Sequence, residues 1–167
     1  MDFTIRPARP EEYEPLGDLT VRVYLADGLL DYGEEDPYIP ILRDVAGRAA
    51  TAEVLVAVDG EQLLGGVTFA LHGVPSAQIA RPDEAEFRGL AVAHGGRGRG
   101  VGEALVRACV DRARAAGCAG VVLSTQHMMH SAHRIYERLG FVRTPERDWN
   151  PLPDRDDLEL WAYELRL

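Results

Sequence analysis

A glycine-rich hexapeptide at residues 97–102 separates a strand-like segment from a helix-like one. Residues 86–92 predict a strand, and from Val101 onward apolar residues recur at steps of three and four, which predicts an amphipathic helix ending near Ala116. The glycines therefore precede a helix N-terminus, where backbone N–H groups lack partners and the helix dipole is positive. Glycine also allows a ligand to approach the backbone closely, so the hexapeptide predicts an anion site, most often one for phosphate. A glycine-rich surface turn that binds nothing would show the same pattern.

Two common phosphate-binding motifs do not fit the hexapeptide. The P-loop ends in Gly-Lys-Ser/Thr, whereas here Gly102 is followed by Glu103. The dinucleotide fingerprint G-x-G-x-x-G also fails, because no third glycine occurs at the required spacing. The pattern that fits is Arg/Gln-x-x-Gly-x-Gly/Ala, with Arg97, Gly100 and Gly102 at its fixed positions.

Composition indicates a globular protein and disfavours some partners. The 167 residues suffice for one domain, 1–167, with a sizeable core. A net charge of −9 argues against nucleic acid, which requires a basic surface, and suits a cationic substrate somewhat better. No apolar run approaches a membrane span and the start lacks the features of a signal peptide, so we expect no membrane partner and a cytoplasmic location. The two cysteines, Cys109 and Cys118, have no metal-like spacing, which fits reduced thiols.

Hydrophobic periodicity predicts the element order β-α-α-β-β-β-α-β-α-β-β. The predicted strands cover residues 2–6, 54–58, 63–71, 86–92, 121–125, 141–143 and 158–165. The predicted helices cover residues 10–26, 39–49, 101–116 and 130–139. This order predicts an α/β fold, in which a mixed sheet carries helices on both faces.

Three further segments, in this order, are similar to those of one known family. Residues 5–8 (IRPA), before an acidic helix start, look like its usual opening. Leu90-Ala91-Val92 is similar to its fourth strand, and residues 136–141 (YERLGF) are similar to its Y-x-x-x-G-F segment. With the hexapeptide and the element order, nearly the whole chain resembles the GCN5-related N-acetyltransferase (GNAT) family, which binds acetyl-CoA. The resemblance implies a GNAT-like fold whose central sheet is mixed but mostly antiparallel.

The resemblance implies a coenzyme A site built from two backbone segments. The amides of the hexapeptide would hold the pyrophosphate, and its residues are Arg97, Gly98, Arg99, Gly100, Val101 and Gly102. The backbone of Leu90, Ala91 and Val92 would pair with the pantetheine arm, which requires the fourth and fifth strands to splay apart. The amide of Leu90 or a neighbour would then polarise the thioester carbonyl, as an oxyanion donor does.

The resemblance also implies two catalytic groups, because amine acetylation needs one proton removed from the amine and one supplied to the departing thiolate. Tyr136 matches the general acid of the family, although a core tyrosine on an amphipathic helix would have the same neighbours. Glu86 stands where histone-acetylating members have their base glutamate. By strand alternation Glu86 shares a face with Arg88 and Leu90, so a solvated charge paired with Arg88 is the alternative.

One position departs from the family pattern. Met129 lies seven residues before the tyrosine, where the family often has an asparagine that contacts the pantetheine. Methionine cannot make that amide contact, and His130 or Ser131 is the candidate substitute. Ser131 is also a candidate N-cap for the helix that carries Tyr136.

The resemblance places acceptor candidates in the acidic loop between the first two helices, a segment that helps to wall the acceptor site in this family. The candidates are Asp27, Tyr32, Glu34 and Glu35. Acids at this wall would suit an amine or polyamine cation.

A histidine repeat at His127, His130 and His133 invites a metal interpretation. Residues three apart on a helix fan around its axis, so these side chains would not converge on one ion. We therefore predict no metal.

The resemblance thus implies an acetyl-CoA-dependent N-acetyltransferase that acts on a primary amine of a small molecule or peptide. Direct attack by the amine is favoured because no convincing nucleophile motif occurs, although Cys109 and Cys118 remain open as alternatives. The second hypothesis is a non-catalytic acyl-CoA-binding sensor or regulatory module, and a nucleotide-phosphate binder is the third. The resemblance is also compatible with a homodimer.

Overall fold

The computed structural model describes residues 2–152, 154 and 159–167. The strands are β1 (Thr4–Pro7), β2 (Glu53–Asp59), β3 (Gln62–Leu71), β4 (Glu84–Val92), β5 (Gly120–Thr125), β6 (Val142–Arg143) and β7 (Trp161–Arg166). The helices are α1 (Tyr13–Ala26), α2 (Ile39–Arg43), α3 (Val45–Ala49), α4 (Val101–Ala115) and α5 (His130–Arg138).

The seven strands form one sheet in the order β1-β2-β3-β4-β5-β7-β6. Every neighbouring pair is antiparallel except β4 and β5, which run parallel. The prediction of a mixed, mostly antiparallel sheet is therefore confirmed. The helix α4 makes the crossover that a parallel pair requires.

The parallel strands β4 and β5 diverge after a short pairing. Only residues 84–87 of β4 pair with residues 120–123 of β5. The second half of β4 remains paired with β3 on its other side, up to Val92 opposite Gly65. The splay expected between the fourth and fifth strands is therefore present, and it opens a gap in the sheet.

A β-bulge at Gly89 changes the face of the sheet on which the following side chains of β4 lie. Gly66 lies opposite Ala91 and Thr68 opposite Arg88, so β4 holds one residue more than β3 over this interval. Gly89 has a φ of +66°, a left-handed conformation that glycine adopts without steric cost. Leu90 consequently packs in the same core cluster as Phe87, so the prediction that it shares a face with Arg88 is wrong.

Helices cover both faces of the sheet, as predicted. On one face Leu105 of α4 packs in the largest core cluster with Leu55 of β2 and Leu123 of β5. On the other face Leu16 of α1 packs against Val56 of β2. The alternation of neighbouring side chains along β2 sends one set to each helical layer.

Several predicted boundaries differ from the structure. The helix predicted over residues 39–49 is divided at Asp44, whose side chain accepts a hydrogen bond from the Gly47 amide and caps α3. The predicted closing strand starts at residue 158, which lies outside the described residues, and β7 begins at Trp161. None of the helices in the described ranges is long and apolar enough to span a bilayer.

Candidate active site

A cavity of about 730 Å³ lies where β4 and β5 diverge. One wall is the second half of β4, residues 88–92, and the opposite wall is α5 with the end of β5. The hexapeptide closes one end, and the C-terminal part of α1 with the residues that follow it contributes Val23, Tyr24, Asp27 and Leu29. The gap in the sheet thus exposes strand backbone, a helix N-terminus and several polar side chains to one space.

The hexapeptide forms a cradle of backbone amides at the start of α4. Gly98 and Gly100 have φ values of +77° and +79°, and a Cβ at either position would contact nothing within 4 Å. Gly100 is the N-cap of α4, so the first amides of the helix have no partner within it. Together with the helix dipole, these free N–H groups make this end of the cavity suited to an anion.

The two arginines of the hexapeptide have different surroundings. Arg97 lines the cavity and donates a hydrogen bond to Asp27 Oδ2 over 2.9 Å. Arg99 is not among the lining residues and forms ion pairs with Asp2 and Asp59. Of the two side chains, only Arg97 is therefore placed to meet a ligand in the cavity.

Gly102 allows α4 and α5 to approach each other. A Cβ at this position would lie 3.0 Å from Cδ1 of Ile135, a residue that lines the cavity from α5. The second glycine of the motif therefore has a packing role in addition to leaving the first helical turn open.

The backbone of Leu90, Ala91 and Val92 lines the cavity beyond the last pairing with β5. Ala91 and Val92 lie opposite Gly66 and Gly65 of β3, whereas Leu90 stands at the bulge, outside the regular register. The side of β4 that faced β5 earlier is thus open to the cavity, where an extended ligand could pair with it.

Tyr136 reaches the cavity from a cluster of aromatic rings. Its ring centroid lies 5.8 Å from Phe87, 6.0 Å from Phe141 and 5.7 Å from Tyr163. Only 4% of the residue is exposed, and this burial raises the pKa of its hydroxyl. Within the described ranges that hydroxyl has no hydrogen-bond partner, so it is free to donate to a ligand in the cavity.

The family model for the acetyltransferase (GNAT) family matches residues 18–141, about three quarters of the chain. This chain belongs to the GNAT family. The matched range contains α1 from Asp18 onward, the splayed strands, the hexapeptide and Tyr136.

Two curated proteins share sequence with this GNAT chain. N-acetylaspartate synthetase of Danio rerio is 34% identical over 97 residues, which cover 56% of this chain and 34% of that protein. N-acetyltransferase family 8 member 2 of Rattus norvegicus is 38% identical over 89 residues, 53% of this chain and 38% of that protein. The match thus spans a little over a third of each relative.

Solved GNAT structures share the fold at low sequence identity. An acetyltransferase of the GNAT family from Staphylococcus aureus Mu50 superposes with a TM-score of 0.74 at 15% identity, covering 98% of both chains. The yncA structure from Salmonella typhimurium, determined with its cofactor acetyl-CoA, gives a TM-score of 0.72 at 17% identity and covers 99% of this chain and 94% of that one.

Glu86 does not line the cavity, and it is 2% exposed. Its Oε1 accepts hydrogen bonds from the amides of Ile79 and Ala80, over 2.8 and 2.9 Å. Among the described residues it forms no ion pair with Arg88, and its burial disagrees with the alternative of a solvated charge. Burial raises the pKa of the Glu86 carboxyl, although the amides oppose that shift. Glu86 is therefore placed to anchor the loop before β4.

The start of α5 differs from the prediction. The helix begins at His130 with Met129 as N-cap residue, so Ser131 lies inside the first turn and is not the cap. Both Met129 and Ser131 line the cavity. The sulfur of Met129 accepts a hydrogen bond from Thr125 Oγ1 over 3.3 Å, which fixes the side chain at the cavity wall.

The acceptor candidates from the acidic loop are not brought together. Asp27 lines the cavity at the hexapeptide end, paired with Arg97. Glu34 and Glu35 are exposed in a short 3₁₀ turn, Tyr32 is 61% exposed, and none of the three lines the cavity. This arrangement does not favour the acidic wall that was expected for a cationic acceptor.

Two side chains at the cavity were not assigned to the site from sequence. Tyr24 of α1 packs in a core cluster and also lines the cavity. Arg88 also lines the cavity, and its Nη2 donates to the Tyr38 hydroxyl over 2.9 Å. The available signal for Arg88 was its charge in the middle of a strand that is otherwise apolar from Phe87 onward.

Neither cysteine is placed as a nucleophile. Cys109 is fully buried in the core and Cys118 follows the end of α4, and neither lines the cavity. Burial raises the pKa of both thiols, which disfavours the reactive thiolate. No group of three metal-ligating side chains occurs within the described part of the chain.

Proposed function

We propose that this protein transfers an acetyl group from acetyl-CoA to a primary amine of a small molecule or peptide. The observation that carries the proposal is the cavity itself. It joins a free strand edge at residues 90–92 to the amide cradle of the hexapeptide and to the protonated hydroxyl of Tyr136.

The chain fits acetyl-CoA at both ends of the cavity. The amides of Gly98, Gly100 and the first turn of α4 would hold the pyrophosphate, because a Cβ is absent where the backbone must approach it. The backbone of Ala91 and Val92 would pair with the amides of the pantetheine arm. The Leu90 amide, at the bulge, is the donor that we assign to the thioester carbonyl oxygen.

Acetyl-CoA supplies the thioester, whose carbonyl carbon forms a bond with the amine nitrogen while the bond from carbon to sulfur breaks. Tyr136 donates its proton to the departing sulfur, since its raised pKa keeps the hydroxyl protonated at neutral pH. We assign removal of the amine proton to water in the open cavity, because the Glu86 carboxylate lies outside the lining and already accepts two amide hydrogen bonds.

The curated relatives support an amine as the acceptor. The names N-acetylaspartate synthetase and N-acetyltransferase family 8 member 2 both denote proteins that form N-acetyl products. The match covers about a third of each relative, so these names indicate the chemistry and leave the individual acceptor open.

Thermal unfolding with acetyl-CoA, with ATP as the control, tests the coenzyme site, because a ligand of the native state raises stability by mass action. We expect a shift with acetyl-CoA alone. Release of free thiol with a panel of amines then tests the transfer. No shift at millimolar acetyl-CoA would overturn the proposal, and binding without turnover would instead indicate a non-catalytic acyl-CoA-binding module.

A further inference from the structure

Arg88 presents a cation to the cavity without a carboxylate partner. The residue is half-buried in β4, and its recorded side-chain hydrogen bond goes to the neutral hydroxyl of Tyr38. Among the described residues no aspartate or glutamate lies within ion-pair distance of it. A half-buried guanidinium normally recovers its lost hydration from an anion, so this environment is incomplete.

A second arginine, Arg48, adds to the positive charge that acts on Arg88. Arg48 donates to the carbonyls of Ile41 and Leu42, and its Nε is buried without a partner in the described part of the chain. Burial lowers the pKa of Arg48 and the charge of Arg88 lowers it further, whereas Asp44 opposes these effects. No carboxylate forms an ion pair with Arg48 among the described residues either.

The acids that do line the cavity are engaged elsewhere. Asp27 pairs with Arg97, and Glu103 pairs with Arg107 and Arg138 of α4 and α5. All three ion pairs lie at the end of the cavity that holds the hexapeptide. Tyr24, Leu29 and Met129, which also line the cavity, are neutral. The buried carboxyl of Glu86 is outside the lining; the charge of Arg88 acts to lower its pKa, but its Oε1 accepts hydrogen bonds from loop amides and it forms no ion pair with Arg88 among the described residues.

Arg88 also has the right position along its strand. It precedes Gly89 and Leu90, the residues at which the thioester carbonyl would be held, and it lies on the side away from the hexapeptide. A molecule that attacks the thioester from this side would meet the guanidinium within two residues of the reacting carbon.

We propose that the acceptor is a small amine that carries a carboxylate, such as an amino acid, and that Arg88 binds this carboxylate. The inference rests on the proposed function and replaces the expected polyamine with an anionic acceptor. Planar guanidinium groups bind carboxylates through two parallel hydrogen bonds, which orient the acceptor as well as attract it. The amine would thereby be directed toward the carbonyl above Leu90.

The first test compares matched acceptors on the wild-type protein. The protein would first be saturated with coenzyme A. Calorimetry would then measure the binding of the twenty standard amino acids, of two ω-amino acids, and of the carboxamide that corresponds to each of these acids. We expect at least one acid to bind about tenfold or more tightly than its amide, as is typical of hydrogen bonds to charged groups. Equal binding of acids and amides, or no binding of any acid at 10 mM, would overturn the inference.

Variants then assign the preference to Arg88. We expect Arg88→Gln to remove the preference for the acid, Arg88→Lys to retain part of it, and the exposed Arg43→Gln control to leave it unchanged. The affinity of all three variants for coenzyme A should stay within about twofold of the wild-type affinity. A preference that survives in Arg88→Gln, or a loss of coenzyme affinity equal to the loss of acid binding, would overturn the assignment.

The same measurements separate this inference from the proposed function. Binding of acids that depends on Arg88, but without thiol release, would support the carboxylate site and contradict the transferase. Thiol release that is equally fast with acids and amides would support the transferase and contradict the carboxylate site.

Discussion

Arg97 of the hexapeptide and Asp27 at the end of α1 form an ion pair of 2.9 Å, and both residues line the cavity. The pair connects the amide cradle to the residue that follows α1, at the same end of the cavity. It also places a carboxylate beside a site that is otherwise suited to an anion.

Asp27→Asn should strengthen the binding of acetyl-CoA. The change removes a negative charge near the bound pyrophosphate and releases Arg97 to contact it. Because exposed charge pairs are worth about 0.2–1 kcal/mol, we expect affinity to rise by about two- to fivefold at low salt, and less at high salt. Calorimetry would measure this, with Asp18→Asn, which removes the exposed partner of Arg43, as the control. Weaker binding in Asp27→Asn would show instead that the pair is needed to shape the hexapeptide.

Gly100→Ala should disable the coenzyme site through backbone strain. Gly100 has a φ of +79°, and Gly117, beyond the end of α4, has nearly the same value of +77°. A Cβ would contact nothing within 4 Å at either position, so the two alanine variants carry similar strain, of about 1–2 kcal/mol. Chemical denaturation should show similar losses of stability, whereas only Gly100→Ala should weaken acetyl-CoA binding. If both variants bound acetyl-CoA equally well, the hexapeptide would not be part of the binding site.

Tyr136→Phe should slow turnover by about 100- to 10,000-fold, the usual contribution of a general acid. Affinity for acetyl-CoA should be retained, since the ring packing persists. Tyr163→Phe is the matched control, because Tyr163 belongs to the same aromatic cluster but donates its hydroxyl to Glu137, outside the cavity. Steady-state kinetics on both variants would decide the role, and a Tyr136→Phe variant with near wild-type turnover would exclude it.

Glu86→Gln should retain turnover within about threefold, because the base role requires a carboxylate in the cavity and Glu86 does not line it. A fall of a hundredfold or more would restore the base assignment. Thiol-release kinetics would make the distinction, with Glu86→Ala showing whether the anchored loop matters.

Glu86→Gln should also change how the free energy of unfolding depends on pH. The folded pKa of Glu86 is raised above its unfolded value, so its contribution is fully present below the unfolded pKa and is lost as the pH rises through the folded pKa. Wild type should therefore lose stability relative to Glu86→Gln over that interval. Denaturation of both proteins at several pH values would measure the difference, and parallel curves would contradict it.

The glycine-rich turn at the start of α4 could be predicted because it depends on local sequence. Glycines at positions 98 and 100 are needed because the backbone there is left-handed. The strand before them and the helix after them each have a clear periodicity of apolar residues. The mixed sheet with helices on both faces followed from the same hydrophobic periods, and its mostly antiparallel character followed from the family resemblance. Residues close together in sequence thus determined most of what was predicted correctly.

The surroundings of Gly89, Glu86 and Tyr24 could not be predicted in the same way. The bulge at Gly89 adds one residue without interrupting the strand pattern, so Leu90 was assigned to the wrong face. The partners of Glu86 come from loop amides, which have no sequence signature. Tyr24 fits the apolar stripe of α1 equally well whether it packs in the core or lines a cavity.

The short pairing between β4 and β5 has a mechanical consequence. Among the described residues, four residue pairs of the ladder connect the strands β1–β4 to the strands β5, β7 and β6, and the core on the α4 face spans the same junction. On the cavity side the two groups of strands have no ladder between them. A molecule that binds residues of both cavity walls adds contacts across this gap, so we expect occupancy of the cavity to stabilise the junction between the two groups of strands.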